Sequence, residues 1–171
     1  MIDMNCAGLD KGLLLKFFWL FSAFEGALLD AGYFQDRDQE VWVDWKRFEK
    51  ECLPSLDKVT DVEFGLARQG LVKDPPRQRV IKTRRARRDR NGAMIPESKR
   101  LDWDDQTQSK HESDTVFAFR MVRSVRNNLF HGGKNSREVA RNSELITRAL
   151  VVLSYCISAH EEIRKRIPHA A

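Results

Sequence analysis

The stretch Arg123-Ser124-Val125-Arg126-Asn127-Asn128-Leu129-Phe130-His131-Gly132-Gly133-Lys134 concentrates polar functional groups in a short run. A histidine titrates near neutral pH and can move protons; an arginine is a permanent cation shaped for phosphate or carboxylate oxygens. Together they suit a reaction in which a nucleophile loses a proton while negative charge builds on an oxyanion. Asn127 and His131 stand four apart, so on a helix they project from one side, and the Asn amide is placed to fix the imidazole tautomer. Arg126 and His131 diverge by ~140° on an ideal helix. A joint site then needs the reach of the Arg side chain, a distorted last turn, or a second chain.

The helix that carries this segment is marked by Ala118, Val122, Val125 and Leu129 at i, i+4, i+7 and i+11, with Ser109 and Glu112 spaced as a capping box. Arg126 lies ~60° from that apolar stripe, at an edge where a partly buried guanidinium requires an anion or a carbonyl. Gly132 and Gly133 end the helix, and Asn135 with Glu138 opens the next. Val139, Ile146, Leu150, Leu153 and Ile157 form the buried stripe of that last helix, which frays before Pro168.

Nearer the N-terminus, Leu13, Phe17, Leu20, Phe24 and Leu28 recur at helical spacing, and Phe18, Phe21 and Leu29 widen the stripe into a helix destined for the centre. Glu25 interrupts it. An unpaired carboxylate there is expensive to bury, so Glu25 either reaches solvent or pairs with Arg123 or Arg126. Asp44 is placed to cap a short helix carrying Trp45, Phe48 and Cys52, which Pro54 stops. Leu56, Val59, Val62 and Leu66 suggest a further short helical piece ending around Gly70.

Between residues 73 and 105 the helical period fails, and Pro75, Pro76, Gly92 and Pro96 punctuate a long loop. Its strongest charge run is Arg77, Arg79, Lys82, Arg84, Arg85, Arg87, Arg88 and Arg90, with Asp89 the one acid between residues 77 and 90. Such a run suits an RNA backbone, a solvated loop, or an acidic protein, and it lacks interleaved aromatics for base stacking. Lys134, just past the motif, is a better-placed phosphate contact. No β-alternation competes, so the expected fold is all-α: an antiparallel up-and-down bundle of the four-helix type, one domain over 1–171 with a basic loop insertion.

Composition narrows the classes. The 171 residues suit one compact domain, and 30 Lys and Arg against 25 Asp and Glu leave a net charge of +5, which favours an anionic partner. Cys6, Cys52 and Cys156 are widely separated and contain no C-x-x-C pair, which argues against a disulfide framework or thiolate zinc site and for a reducing, cytoplasmic setting. Lys16 and Glu25 leave only Phe17 to Phe24 uncharged within the apolar helix, short of the ~18 residues of a membrane span, and no small-residue cleavage site follows it. No membrane partner is expected. Gly132-Gly133-Lys134 is no phosphate loop, because position 128 is Asn and no strand precedes it. His111, His160 and His169 show no ligand spacing, so neither metal nor cofactor is expected. Trp19, Trp42, Trp45 and Trp103 read as core or interface residues.

The run from Val125 to Lys134, an Arg followed by a polar residue, three more and a His, resembles the HEPN superfamily motif; with Val43-Asp44-Trp45 and Leu101-Asp102-Trp103 the chain is similar to a plasmid-borne bacterial HEPN family. That resemblance implies a four-helix bundle paired as a homodimer, with the two motifs meeting in a cleft. It implies a metal-independent endoribonuclease, often a toxin or phage-defence effector restrained by an inhibitory antitoxin protein. Arg126 would stabilise the scissile phosphate, Asn127 would be its polar companion, and His131 would move the proton. Glu25 and Asn128 would support the motif, while Arg123, Lys134, Arg84, Arg85, Arg87 and Arg88 would contact RNA. Attack by a ribose 2′-hydroxyl would leave a 2′,3′-cyclic phosphate and a 5′-hydroxyl, so DNA would not be cut. Other members are silent modules that bind RNA, a nucleotide or a protein. Gly133 stands where toxins controlled by nucleotidylation carry a Tyr, so the resemblance does not extend to that control.

Overall fold

The computed structural model describes residues 9–84, 86–88, 90, 94–130 and 139–167. Helix α1 spans Lys11–Asp30, started by Asp10, whose carboxylate accepts from the Gly12 amide at 2.8 Å. Its Phe17, Leu20, Phe21, Phe24 and Leu28 are buried, as the apolar period requires. By length and composition alone α1 could also cross a membrane. The helix ends on Gly32 at φ 86°, with Tyr33 N bonded to Leu28 O and Gly32 N to Leu29 O. This double closure satisfies the last carbonyls and needs a residue that tolerates the left-handed conformation.

A hairpin follows, β1 (Phe34–Arg37) with β2 (Glu40–Val43), turned by Asp38 and Gln39 at φ 55° and 70°. Two positive-φ residues match the twist of a two-residue hairpin turn, and Asp36 Oδ1 accepts from the Gln39 amide at 3.1 Å. Helix α2 (Trp45–Glu51) is capped by Asp44 as anticipated, its carboxylate accepting from Arg47 N at 3.1 Å, and a 3₁₀ turn (Leu53–Lys58) begins around Pro54. Helix α3 (Val62–Lys73) is capped by Asp61. The face it buries is Phe64, Ala67 and Leu71, whereas Val62 and Leu66 are exposed. Gly70 does not end it: the Arg148 side chain lies over Gly70, where a Cβ would collide with the guanidinium, and the helix runs three residues further.

Helix α4 (Asp114–Phe130) and helix α5 (Val139–Ser158) follow the long 78–104 segment, and a short helix α6 (Glu161–Lys165) succeeds α5 rather than the continuous helix expected toward Pro168. Ser109 and Glu112 do bond, Ser109 N to Glu112 Oε2 at 3.1 Å, but in the turn before α4; Ser113 Oγ caps the helix by accepting from Val116 N. Asn135 and Glu138 lie outside the described residues. Helix α5 packs against α1, α3 and α4, burying Ile146, Leu150, Leu153 and Ile157. An aromatic cluster ties α1, α2 and α4 together: the Phe48 ring lies 5.4 Å from Phe24 and 5.2 Å from Phe119. Burying each such ring contributes roughly 1.5–3 kcal/mol.

The expected all-α four-helix bundle is incorrect. The described residues form a mixed α/β fold of six α-helices and three two-stranded antiparallel ladders. The supposed loop is a ribbon: β3 (Gln78–Arg84) pairs with β6 (Ser98–Asp104) over seven residue pairs, and beyond it β4 (Arg87–Arg88) pairs with β5 (Met94–Ile95). Pro96, which has no amide to donate, separates the two ladders. The ribbon escapes a periodicity reading because both of its faces meet solvent: Ile81 and Leu101, paired on one face, are 65% and 62% exposed, and Lys82 and Arg100, paired on the other, are exposed too. Alternation arises only where one face must be buried.

Candidate functional site

Two arginines in the C-terminal half of α4 reach across to α1 and α2 and rest on an aromatic shelf. Arg126 Nη2 donates to Glu25 Oε2 at 3.1 Å, Nη1 donates to Asn127 Oδ1 at 3.3 Å, and the guanidinium lies over the Phe21 ring at 5.6 Å. One turn earlier, Arg123 Nη1 donates to Glu49 Oε1 at 2.9 Å and its guanidinium sits over Trp45 at 4.6 Å. Two carboxylate–guanidinium pairs thus lie side by side, each half-buried and each backed by an aromatic face, an arrangement favourable to planar cations.

Burial pushes the Glu25 carboxyl above its ordinary value, against the opposing pull of Arg126 and Arg123. Glu49 is raised in the same way, with Arg123 opposing. Burial also lowers Arg123, against the opposing effect of Glu49. The Arg126 side chain remains 32% accessible, so an incoming anion meets its guanidinium in competition with Glu25.

Of the two partners open to Glu25, the fold selects Arg126. Asn127 is exposed beside that pair. Asn128 serves a different purpose: its Nδ2 donates to the Arg77 carbonyl at 2.6 Å, tying the root of the β3–β6 ribbon to the end of α4. Gln106 strengthens the root by donating to Pro76 O at 2.8 Å while accepting from Ser124 Oγ at 3.3 Å. Arg77 Nε faces Asp105 Oδ1 at 2.8 Å. Arg123, expected to contact RNA, is engaged with Glu49 and Trp45.

His131 and Lys134 lie outside the described residues, as does Arg85; the backbones of Arg84 and Arg87 fall in β3 and β4, and Arg88 is exposed in β4. Among the described residues, no group of three or more His, Cys, Asp or Glu side chains converges as metal ligands do. Trp45 packs against Phe21, Phe24 and Phe119, as a core reading expects, while Trp19 and Trp42 are about half exposed.

Glu49, Phe21 and Arg77 were not singled out by sequence as members of this site. Glu49 is 74 residues from Arg123, on a short helix with no local sign of its partner. The demand of Arg126 for an anion was legible; which carboxylate met it depended on how α1 and α4 pack. A scan against protein-family models and searches of curated proteins and of solved structures found no match to this chain.

Proposed function

We propose that this chain is a metal-independent endoribonuclease of HEPN type, acting as a homodimer and restrained by a protein antitoxin, in the manner of a cytoplasmic toxin or defence effector. The observation that carries the reading is the setting of Arg126. Its guanidinium is oriented by Glu25, Asn127 and Phe21 at the end of the helix that leads into His131, and it is accessible enough to accept a phosphate. In the reaction His131 takes the proton from a ribose 2′-hydroxyl, the 2′-oxygen bonds to phosphorus, and Arg126 opposes the charge on the equatorial oxygens. The bond to the 5′-oxygen breaks and that oxygen is protonated, leaving a 2′,3′-cyclic phosphate and a 5′-hydroxyl.

Two features support a dimeric site. Arg126 and His131 diverge by ~140° around one ideal helix, and a second chain supplies the missing member. Helix α1 also exposes Leu15 and Trp19, 60% and 50% accessible, with exposed Ser22 and Gly26 continuing the same face. Small residues beside large apolar ones allow a second copy to approach closely.

A second reading, a catalytically silent module that binds RNA, a nucleotide or a protein, draws support from the carboxylate already paired with Arg126. Incubation with bacterial RNA in EDTA, followed by end-group analysis, separates the two. Cyclic-phosphate ends made by wild type but by neither Arg126→Ala nor His131→Ala establish the nuclease. RNA bound but uncut selects the silent module.

A further inference from the structure

The charge of the molecule is not spread over it. Residues 77–105 hold ten Lys and Arg against five Asp and Glu, leaving twenty of each sign in all the rest of the chain. The entire net charge of +5 therefore belongs to residues 77–105. Its acids gather at the root, where Asp105 faces Arg77 at 2.8 Å, Asp104 faces Lys82 at 3.3 Å and Asp102 faces Arg100 at 3.0 Å. Between residues 79 and 100 nine cations meet two acids, so the cationic excess lies beyond the root.

The backbone that carries much of this charge has a defined shape. Seven residue pairs at roughly 3.4 Å rise make a ladder about 24 Å long, continued by the β4–β5 pairs. Ile81, Leu101 and Met94 are exposed along it, and a two-stranded ribbon without cover is marginal in water. Aromatic platforms, the usual means of holding single-stranded bases, are missing: Trp103 is the one aromatic residue from 77 to 105, and it is half-buried near the root. What remains is a linear array of cations suited to the phosphates of a duplex, whose bases are already stacked inside.

The Asn128 tie sets the root of this array against the helix segment that carries Arg126 and Asn127. We infer that the β3–β6 ribbon is a substrate arm that grips the phosphate backbone of double-stranded RNA and, through its root at Asn128, holds that duplex against the end of the helix that carries Arg126 on its other side. The choice of RNA over DNA rests on the ribonuclease reading; the choice of duplex over single strand rests on the ribbon itself.

The test uses full-length His131→Ala protein, so that binding is read without turnover. Fluorescence anisotropy compares a labelled duplex RNA, its single strand and the matching duplex DNA across a salt series. The arm predicts duplex RNA bound about tenfold or more tighter than single strand, with steep salt dependence. Replacing Lys82, Arg88, Arg90 and Lys99 together by Gln should weaken duplex binding about tenfold and flatten the salt slope by roughly three. The same change at Lys16, Lys46, Lys50 and Lys58, exposed cations off the ribbon, should leave it unaltered.

Equal loss in both sets, unchanged binding in the ribbon set, or preference for single strands would overturn the arm. So would exclusive binding to phosphatidylserine vesicles or to an acidic polypeptide. Ribbon-dependent duplex binding by a wild type that cuts nothing would leave the arm standing and remove the nuclease. Cleavage of duplex RNA undiminished by the ribbon set would do the reverse.

Discussion

Glu25 Oε2 and Arg126 Nη2 meet at 3.1 Å although 101 residues separate them in the chain. The contact brings a carboxylate from the aromatic helix to a cation at the end of α4, and it makes Glu25 the internal competitor of any phosphate that Arg126 binds. An ion pair this accessible contributes ~0.2–1 kcal/mol, little enough for a phosphodiester to displace.

Glu25→Gln should therefore tighten RNA binding by His131→Ala protein by up to about fivefold, the upper end of what that pair energy implies. In an Arg126→Ala background the gain should vanish, since nothing remains to be released. A double-mutant cycle by anisotropy checks this; an equal gain in both backgrounds would mean general charge relief and no specific competition.

If the working site draws Arg126 from one subunit and His131 from the other, inactive Arg126→Ala and inactive His131→Ala should complement when mixed. Random pairing gives about a quarter of wild-type cleavage. Trp19→Glu, on the exposed face of α1, should abolish both complementation and the dimer seen by light scattering. A mixture as inactive as its parts places both groups within one chain.

Phe48 joins α2 to α1 and α4 through rings 5.4 and 5.2 Å away and is wholly buried. Phe48→Ala should cost ~3–5 kcal/mol through lost burial and the cavity left behind. The thermal midpoint should fall by roughly 10 °C or more; a shift of a degree or two would mean the cluster collapses to fill the space.

His160 stacks edge-on against Phe48 at 6.1 Å, and its Nε2 is buried with no hydrogen-bond partner. Burial holds its pKa below the ordinary 6.5, against an opposing backbone hydrogen bond at Cys52. The folded protein thus prefers the neutral ring. The stability this contributes is complete above the unfolded value near 6.5 and is lost as pH falls from there through the folded value, at up to ~1.4 kcal/mol per pH unit. Glu25 and Glu49, raised by burial, act with the opposite sign: their contribution is full below about 4.5 and lost as pH rises through their folded values. Denaturant melts of wild type and His160→Gln from pH 7 to 5 isolate the histidine, and the variant should show the shallower acid loss.

The helices were legible because each buries one face. Phe17, Leu20, Phe24 and Leu28 in α1, and Ile146, Leu150, Leu153 and Ile157 in α5, announce their stripes at helical spacing and are buried. Asp44 announced its cap. Where two stripes of similar quality overlapped, the local pattern misled: Val62 and Leu66 share a spacing with Leu56 and Val59, yet α3 turns Phe64 and Leu71 inward because α5 offers Tyr155 as the neighbour of Phe64, 4.8 Å between rings.

By itself, then, the sequence determined the amphipathic helices, the need of Arg126 for an anion, and the concentration of positive charge between residues 77 and 105. Those properties are local: they follow from side-chain type and spacing along one element. Only the tertiary structure decided that Glu25 satisfies Arg126 while Glu49 takes Arg123, that the arginine run is a paired ribbon, and that Asn128 fixes its root. Those properties depend on contacts between distant segments. A ribbon with solvent on both faces, or an ion pair closed across 101 residues, leaves no period in the chain from which it can be read.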